Sequence, residues 1–357
     1  MEVIGILTGG GHDGKIGGNL AHFERLGRLA TQAGLELSLL DLNRRGEYAA
    51  YTWSHRRQAY VASSQDLVPQ VLYNRIPTRE LERAKLVAAR MSAWERQGRV
   101  ITNPRYLSKW EVDQVWRSTA KVRPFLLDIE PLRDSTDLAR WLGERASFYL
   151  KPSEGKAGIG MMRVERERAG YHLCEQRKGQ LRDFGIVTEA DLNRYLSHQD
   201  RYGRYLLQEE ARVASWGDRR FDVRVILHRV PDADFAVSGM AVRSSPQGSV
   251  TTHVPNGGTR AQATRVLRTV FGDRGSAIQA RLLETSVAAA NAVARLPGTW
   301  TELSIDASVQ PDGTPILFEA NAKPMKFDES AIELSGKKKL LGALASLAAR
   351  MESGSRL

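Results

Sequence analysis

The chain has 357 residues, 42% hydrophobic and 26% charged, a balance that excludes wholesale disorder and fibrous repeats at a length expected to hold two or three domains. Lys and Arg number 52 against 41 acids, and the formal charge of +11 asks for an anionic partner: nucleic acid, acidic membrane, nucleotide phosphates or a carboxylate. One cysteine, Cys174, excludes an internal disulfide and a Cys-rich zinc centre, and the seven histidines hold no HExxH or close pair. The opening residues turn glycine-rich after a few apolar positions, and no run of about 20 apolar residues follows. The expected location is cytoplasmic, with no membrane partner.

In chain order, residues 3–7 read as a short buried strand, and 20–33 as an amphipathic helix with Leu20, Phe23, Leu26, Leu29 and Ala30 on one face, ended by Gly34. Strands are expected at 35–42, 68–73 and 100–103, with a helix over 80–97. This alternation predicts an α/β, Rossmann-like domain over residues 1–104, closed by Pro104. A smaller α+β unit follows over 105–206, with a helix at 110–119, strands at 147–152 and 159–165 around a glycine-rich loop, and an exposed charged hairpin over 163–182. The third section, 207–350, has strands at 205–208, 221–228, 235–243, 303–309 and 315–319 and an alanine-rich helix at 278–295. From Lys337 the chain reads as a basic, then Ala/Leu-rich helix that frays into a flexible tail, 351–357.

Gly9-Gly-Gly-His-Asp-Gly-Lys-Ile16 lies between a strand and a helix and fits G-x-G-x-x-G. The P-loop needs Ser or Thr where Ile16 stands, and Asp41 falls late for the acid of a dinucleotide site. A flexible turn is the first reading of this loop, and an anion-binding turn the second. Near the other end, Gln310-Pro-Asp-Gly-Thr is turn material between two strands, a hairpin that brings Asp306 beside Glu319 and sets Glu319 and Asn321 on one face. Two carboxylates and an amide oxygen are the hard ligands that Mg²⁺ takes. Lys151-Pro-Ser153-Glu-Gly155-Lys-Ala-Gly158-Ile-Gly160 joins two strands; its glycines let backbone amides close over phosphates beside a fixed lysine charge. Gln208, Glu209 and Glu210 end a strand with acceptors suited to the adenine amino group and ribose hydroxyls, and Phe221-Asp222-Val-Arg224 puts an acid and a base on one strand face.

Taken in order, Lys109, the loop from Lys151 to Gly160, Gln208-Glu-Glu, Asp222-x-Arg224 and Asp306…Glu319-x-Asn321 resemble the ATP-grasp superfamily over almost the whole chain. The chain resembles the YheC/YheD branch, the endospore coat-associated proteins. It shares with that branch the opening Ile-Gly-Ile-Leu-Thr, Val71-Leu-Tyr-Asn-Arg-Ile-Pro-Thr-Arg79, Leu150-Lys-Pro-Ser-Glu-Gly-Lys-Ala-Gly-Ile-Gly160 and Arg220-Phe-Asp-Val-Arg-Val225. The resemblance implies an ATP-grasp fold behind an N-terminal pre-ATP-grasp domain, with 105–206 as its lid and 207–350 as its large subdomain. By resemblance Lys109, Lys151 and the loop with Ser153, Gly155, Gly158 and Gly160 hold the nucleotide, and Gln208, Glu209, Glu210 and Ala211 form the adenine and ribose hinge. Asp222 is placed with the nucleotide site. Asp306, Glu319 and Asn321 take one or two Mg²⁺ ions, with Mn²⁺ as an alternative. Arg224 and Arg243 face the transferring phosphoryl group. Two segments depart from the pattern: Thr252-His253-Val-Pro-Asn256-Gly257-Gly has His253 where asparagine is usual, and Lys323-Pro-Met-Lys replaces a glycine turn.

The implied activity is carboxylate–amine ligation through an acyl-phosphate, on an amino acid, peptide or protein. Asn74, Arg75 and Arg79 are candidates for the substrate carboxylate, because an arginine fork suits it; a helix start capped by Thr78 is the plainer reading of the same residues. His253, Asn256 and Gly257 are further substrate candidates. The alternative is a nucleotide-binding structural protein of the spore coat with no turnover, and spore-coat association is itself an expectation from the resemblance. Nucleic-acid binding ranks last, because the basic residues form no stripe interleaved with aromatics. Homo-oligomerisation stays open.

Overall fold

The computed structural model describes residues 3–64, 68–155, 158–230, 232–244, 259–324 and 331–353. Strands β1 (Val3–Gly9), β2 (Glu36–Leu42), β3 (Tyr48–Ser54), β4 (Ala59–Ala62), β5 (Val71–Asn74) and β6 (Val100–Thr102) form a first sheet in the order β4-β3-β2-β1-β5-β6. β2, β1, β5 and β6 are parallel, as strands linked by crossover helices must be. Alternation along β1 turns Ile4 and Ile6 toward Phe23 and Leu26 of α1 (Leu20–Gln32). Leu7 turns the opposite way, toward Leu40, Leu72, Met91 and Trp94. Asn19 caps α1 by accepting from His22 N at 3.1 Å. The expected helix over 80–97 is divided into α2 (Arg79–Glu82), capped by Thr78, and α3 (Lys85–Arg96), with Ala84 in an extended conformation between them. The hairpin β3–β4 was not expected; apart from Trp53 and Tyr60 its residues are partly or fully exposed, and they show no clean alternation.

Helix α4 (Lys109–Arg117) leads to a second, antiparallel sheet of β7 (Ile129–Leu132), β8 (Ser147–Pro152), β9 (Met162–Glu167), β10 (Gly170–Arg177), β11 (Gln180–Val187) and β12 (Tyr205–Glu209), in the order β11-β10-β9-β8-β12-β7. Helices α5 (Ser135–Glu144) and α6 (Glu189–His198) close its core with Leu138, Trp141, Leu192 and Leu196 over Phe148, Leu150 and Val164. The charged segment is a three-stranded meander rather than a lone hairpin.

The third sheet comprises β13 (Ser215–Trp216), β14 (Arg219–His228), β15 (Ala236–Ser244), β16 (Thr259–Ala261), β17 (Glu302–Val309) and β18 (Pro315–Asn321), ordered β16-β15-β14-β17-β18 with β13 on β14. Helices α7 (Ala263–Phe271) and α8 (Gly275–Val293) pack on it, and α9 (Ala331–Glu352) ends the described chain. Packing departs from the expected boundaries in three places. Val112 and Trp116 of α4 join the third core, where Trp116 Nε1 donates to the Ala289 carbonyl at 3.0 Å. β12, expected to open the third section, lies inside the second sheet between β8 and β7. Leu340, Leu341, Leu344 and Leu347 of α9 return to the first core and pack beside α1 on the Ile4 and Ile6 face of β1. Among the described residues no helix is long and apolar enough to cross a membrane.

Candidate active site

Three adjacent strands of the third sheet build a buried checkerboard of charge. On β14, Asp222 and Arg224 share a face; Asp222 stands opposite Arg243 of β15, and Arg224 opposite Asp306 of β17. Both pairs are bidentate. Arg224 Nε and Nη2 donate to the two Asp306 oxygens at 2.7 and 2.6 Å, and Arg243 Nε and Nη2 do the same to Asp222 at 2.7 and 2.6 Å. Arg243 Nη2 also lies 3.1 Å from Asp306 Oδ2, joining the pairs. Burial works against the charge on Arg243, but Asp306 and Asp222 outweigh it and hold the guanidinium above its ordinary range. Arg243 Nη1 is buried and has no hydrogen-bond partner among the described residues.

The expected hairpin is present, with Gly313 N bonded to Gln310 O at 2.9 Å in its turn. Its register sets Glu319 of β18 directly opposite Asp306, and Asn321 opposite Ser304. Asn321 Nδ2 donates to Glu319 Oε1 at 3.1 Å, so its amide oxygen remains an acceptor beside the carboxylate. Asp306, Glu319 and Asn321 thus cluster as hard oxygen donors, with Asp306 Oδ2 contacted by both Arg224 and Arg243. The donor set fits Mg²⁺.

Second-sheet residues face this floor. Lys109, at the start of α4, lies 3.8 Å from Glu319 Oε2 and donates through Nζ to the Gly155 carbonyl at 3.0 Å. Lys151 projects from β8, with Nζ 5.3 Å from the Tyr149 ring and 5.9 Å from the Phe318 ring. Burial pushes its pKa down to about 8; Glu319 opposes the shift and Lys109 adds to it. Ser153 ties the start of the loop by donating to the Arg204 carbonyl at 3.0 Å. Gly155 N bonds Pro152 O at 3.3 Å. Gly158 and Gly160 have φ of 70° and 79°, and a Cβ at Gly160 would fall 2.9 Å from the Tyr205 hydroxyl.

At the end of β12, Gln208 is buried and Glu209 N bonds the Asp128 carbonyl at 2.9 Å. The Glu210 carboxylate is not free: Arg163 Nε reaches both its oxygens at 3.0 Å, and Arg220 Nη1 donates at 2.6 Å. Burial raises its pKa, but the hydrogen bonds led by Arg163 hold it down to about 2. Arg163 carried no signal in the sequence, since it lies in a segment read simply as charged.

Asn74, expected to meet substrate, is fully buried and satisfied within the protein. Its Nδ2 donates to Glu82 Oε1 at 3.0 Å and the Pro104 carbonyl at 2.9 Å, and its Oδ1 accepts from Ile76 N and Lys323. Arg75 and Arg79 lie nearby, where the first sheet meets the third. Glu302, fully buried at the start of β17, takes the Tyr73 hydroxyl at 2.6 Å and His228 Nε2 at 2.9 Å; the sequence carried no signal for it. His253, Asn256 and Gly257 lie outside the described residues. In the loop at residues 9–14, Asp41 accepts from Gly11 N at 3.3 Å and Gly17 N at 2.8 Å. These amides are satisfied internally, as a structural turn requires.

A strand-end lysine under a glycine loop, a second lysine and an acid/amide set on a facing antiparallel sheet define the ATP-grasp class. Solved structures agree on the fold. The D-alanine-D-alanine ligase from Coxiella burnetii matches with a TM-score of 0.57 at 11% identity, covering 99% of this chain and 97% of that one. The VanG D-Ala:D-Ser ligase from Enterococcus faecalis matches with a TM-score of 0.59 at 11% identity, covering 97% and 99%. The chain belongs to the YheC/D-like ATP-grasp family, whose pattern matches residues 98–349. The endospore coat-associated protein YheD of Bacillus subtilis (strain 168) is 25% identical over 272 residues, 72% of this chain and 57% of that protein. The chain therefore spans little more than half the length of that curated relative.

Proposed function

We propose that the protein is an ATP-dependent, ADP-forming carboxylate–amine ligase. The observation that carries this reading is Arg243, buried, held cationic by Asp222 and Asp306, with an Nη1 that no described residue hydrogen-bonds, beside the Asp306/Glu319/Asn321 set. A buried charged donor without an acceptor is costly, and an oxygen of a transferring phosphoryl group would complete it.

In this reading the γ-phosphoryl of ATP passes to a carboxylate oxygen, giving ADP and an acyl-phosphate. An amine then attacks the acyl carbon, phosphate leaves, and the amine gives up a proton as the amide forms. Lys109 and Lys151 bind and orient the phosphates, and the loop with Ser153, Gly155, Gly158 and Gly160 excludes water above them. Arg243, braced by Asp222, and Arg224, braced against Asp306, offset the negative charge that develops. The backbone of Gln208, Glu209, Glu210 and Ala211 holds the base. Asp306, Glu319 and Asn321 would hold Mg²⁺, which when bound supplies charge neutralisation between the phosphates. Four cations (Arg224, Arg243, Lys109, Lys151) already face three acids (Asp222, Asp306, Glu319), so the ion is expected to bind together with nucleotide rather than alone. An amino acid, a peptide or a protein supplies the carboxylate and amine.

The relative's name favours a second reading, a coat-associated nucleotide binder without turnover. Phosphate release from ATP across a panel of amino acids and peptides decides between them. Glu319→Ala is expected to abolish Mg²⁺-dependent release while the fold is kept; unchanged release would sink the metal assignment. Nucleotide binding without turnover under any acceptor would support the second reading.

A further inference from the structure

Three cations from two distant parts of the chain meet where the first sheet abuts the third. Arg75 follows β5, Arg79 opens α2, and Lys323 follows β18. Tyr106 stands among them: the Arg79 guanidinium carbon lies 5.0 Å from its ring centroid, and Lys323 Nζ 4.5 Å. Lys323, 3% exposed, donates to Asn74 Oδ1 at 2.8 Å and to Glu82. Arg75 Nη2 donates to the Pro324 carbonyl at 3.0 Å, and Arg79 Nη2 to the Leu107 carbonyl at 2.6 Å. The other terminal nitrogen of each, Nη1, is buried and has no hydrogen-bond partner among the described residues; that of Arg75 lies 3.6 Å from Glu302 Oε2.

Two buried guanidinium nitrogens in one cluster, neither hydrogen-bonded among the described residues and that of Arg75 only at ion-pair distance from Glu302, point to an oxyanion that is part of the working site. The charge agrees. Arg75, Arg79 and Lys323 face Glu82 and Glu302, and Glu302 is already shared with Tyr73 and His228. The nucleotide phosphates have their own cations in Lys109 and Lys151. The carboxylate to be phosphorylated belongs beside Arg243, Asp306 and Glu319. Asn321 of that set stands two residues before Lys323, so the two places adjoin. A planar carboxylate suits arginine forks better than it suits a lone ammonium.

We propose that Arg75, Arg79 and Lys323 bind a free carboxylate of the substrate, one that survives the reaction. The substrate is then an amino acid, a peptide with its C-terminus or another compound bearing a second acid group. This rests on the ligase reading. Asn74 and Glu82 act as positioning residues for Lys323, and Tyr106 for Lys323 and Arg79.

Calorimetric titration of the full chain, with and without Mg²⁺·ADP, compares glycine, L-alanine, L-aspartate, L-glutamate and alanyl-alanine with their C-terminal amides, and inorganic phosphate in a separate arm. At least one acid is expected to bind, with its amide more than tenfold weaker. Arg79→Gln and Lys323→Gln are each expected to weaken the acid tenfold or more and leave the amide unchanged. Should Lys323→Gln fail to fold, Arg79→Lys, which keeps the charge and loses the fork, carries the test. Acids and amides binding alike, unaltered acid affinity in the variants, binding of phosphate alone, or binding of no acid overturns the proposal. Mg²⁺·ADP affinity separates the premises: wild-type protein that binds acids here but no nucleotide sinks the ligase reading and leaves the anion site standing.

Discussion

Arg224 and Asp306 stand opposite each other on neighbouring antiparallel strands, joined by two hydrogen bonds of 2.7 and 2.6 Å with side chains 7% and 4% exposed. Removing one partner of so enclosed a pair strands the other. Arg224→Met is expected to lower unfolding free energy by about 3–5 kcal/mol, and Asp306→Asn by a similar amount, since Asp306 also balances Arg243. The double variant should lose less than the sum, because neither charge is then left alone. Urea unfolding of the two single variants and the double variant checks this; additive losses would mean the pair is not coupled.

Lys151 gives a pH-dependent expectation. Its pKa is pushed down to about 8, first by burial and then by Lys109, so near pH 8 part of the population is neutral before nucleotide arrives. Phosphate oxygens favour the charged form and raise the pKa, so binding should take up protons at pH 8 and almost none at pH 6. By the same linkage nucleotide affinity is flat well below pH 8 and falls as pH rises through it. Calorimetry in buffers of different ionisation enthalpy reads the uptake directly. Proton release at pH 8 would contradict the assignment of Lys151 to the phosphates.

The floor of this site was legible because it rests on local rules. Strand alternation and a five-residue turn were enough to set Glu319 opposite Asp306, and Asp222 on the same face as Arg224. What escaped depends on partners far along the chain. Glu210 reads as a free acceptor until Arg163 and Arg220 are folded onto it, and Asn74 as a surface residue until Lys323 and Pro104 enclose it. The helical character of α9 was expected, but not its destination in the first core, since an apolar stripe records that a face is buried and not against what.

The glycine-rich loop near the start gives a negative expectation. Asp41, 8% exposed, bonds the amides of Gly11 and Gly17. Asp41→Ala leaves two backbone donors without that acceptor and is expected to cost about 1–3 kcal/mol, with Mg²⁺·ADP affinity unchanged. Thermal unfolding reads the first and calorimetry the second. A large loss of nucleotide affinity without a loss of stability would return the loop to the nucleotide site.

Helix α9 ties the end of the described chain to its beginning. Leu344 and Leu347, 1% and 0% exposed, pack in one cluster with Ile4, Ile6 and Phe23. Leu344→Ala removes a fully buried side chain and is expected to cost about 2–5 kcal/mol, the cavity adding to the lost burial. The damage should fall on the first sheet, far in sequence from the substitution. Limited proteolysis is expected to cut first within residues 3–102, whereas a change at the exposed Lys338, such as Lys338→Ala, should leave the pattern as in the wild type. New cleavage confined to α7 and α8 would show that α9 supports the third core instead.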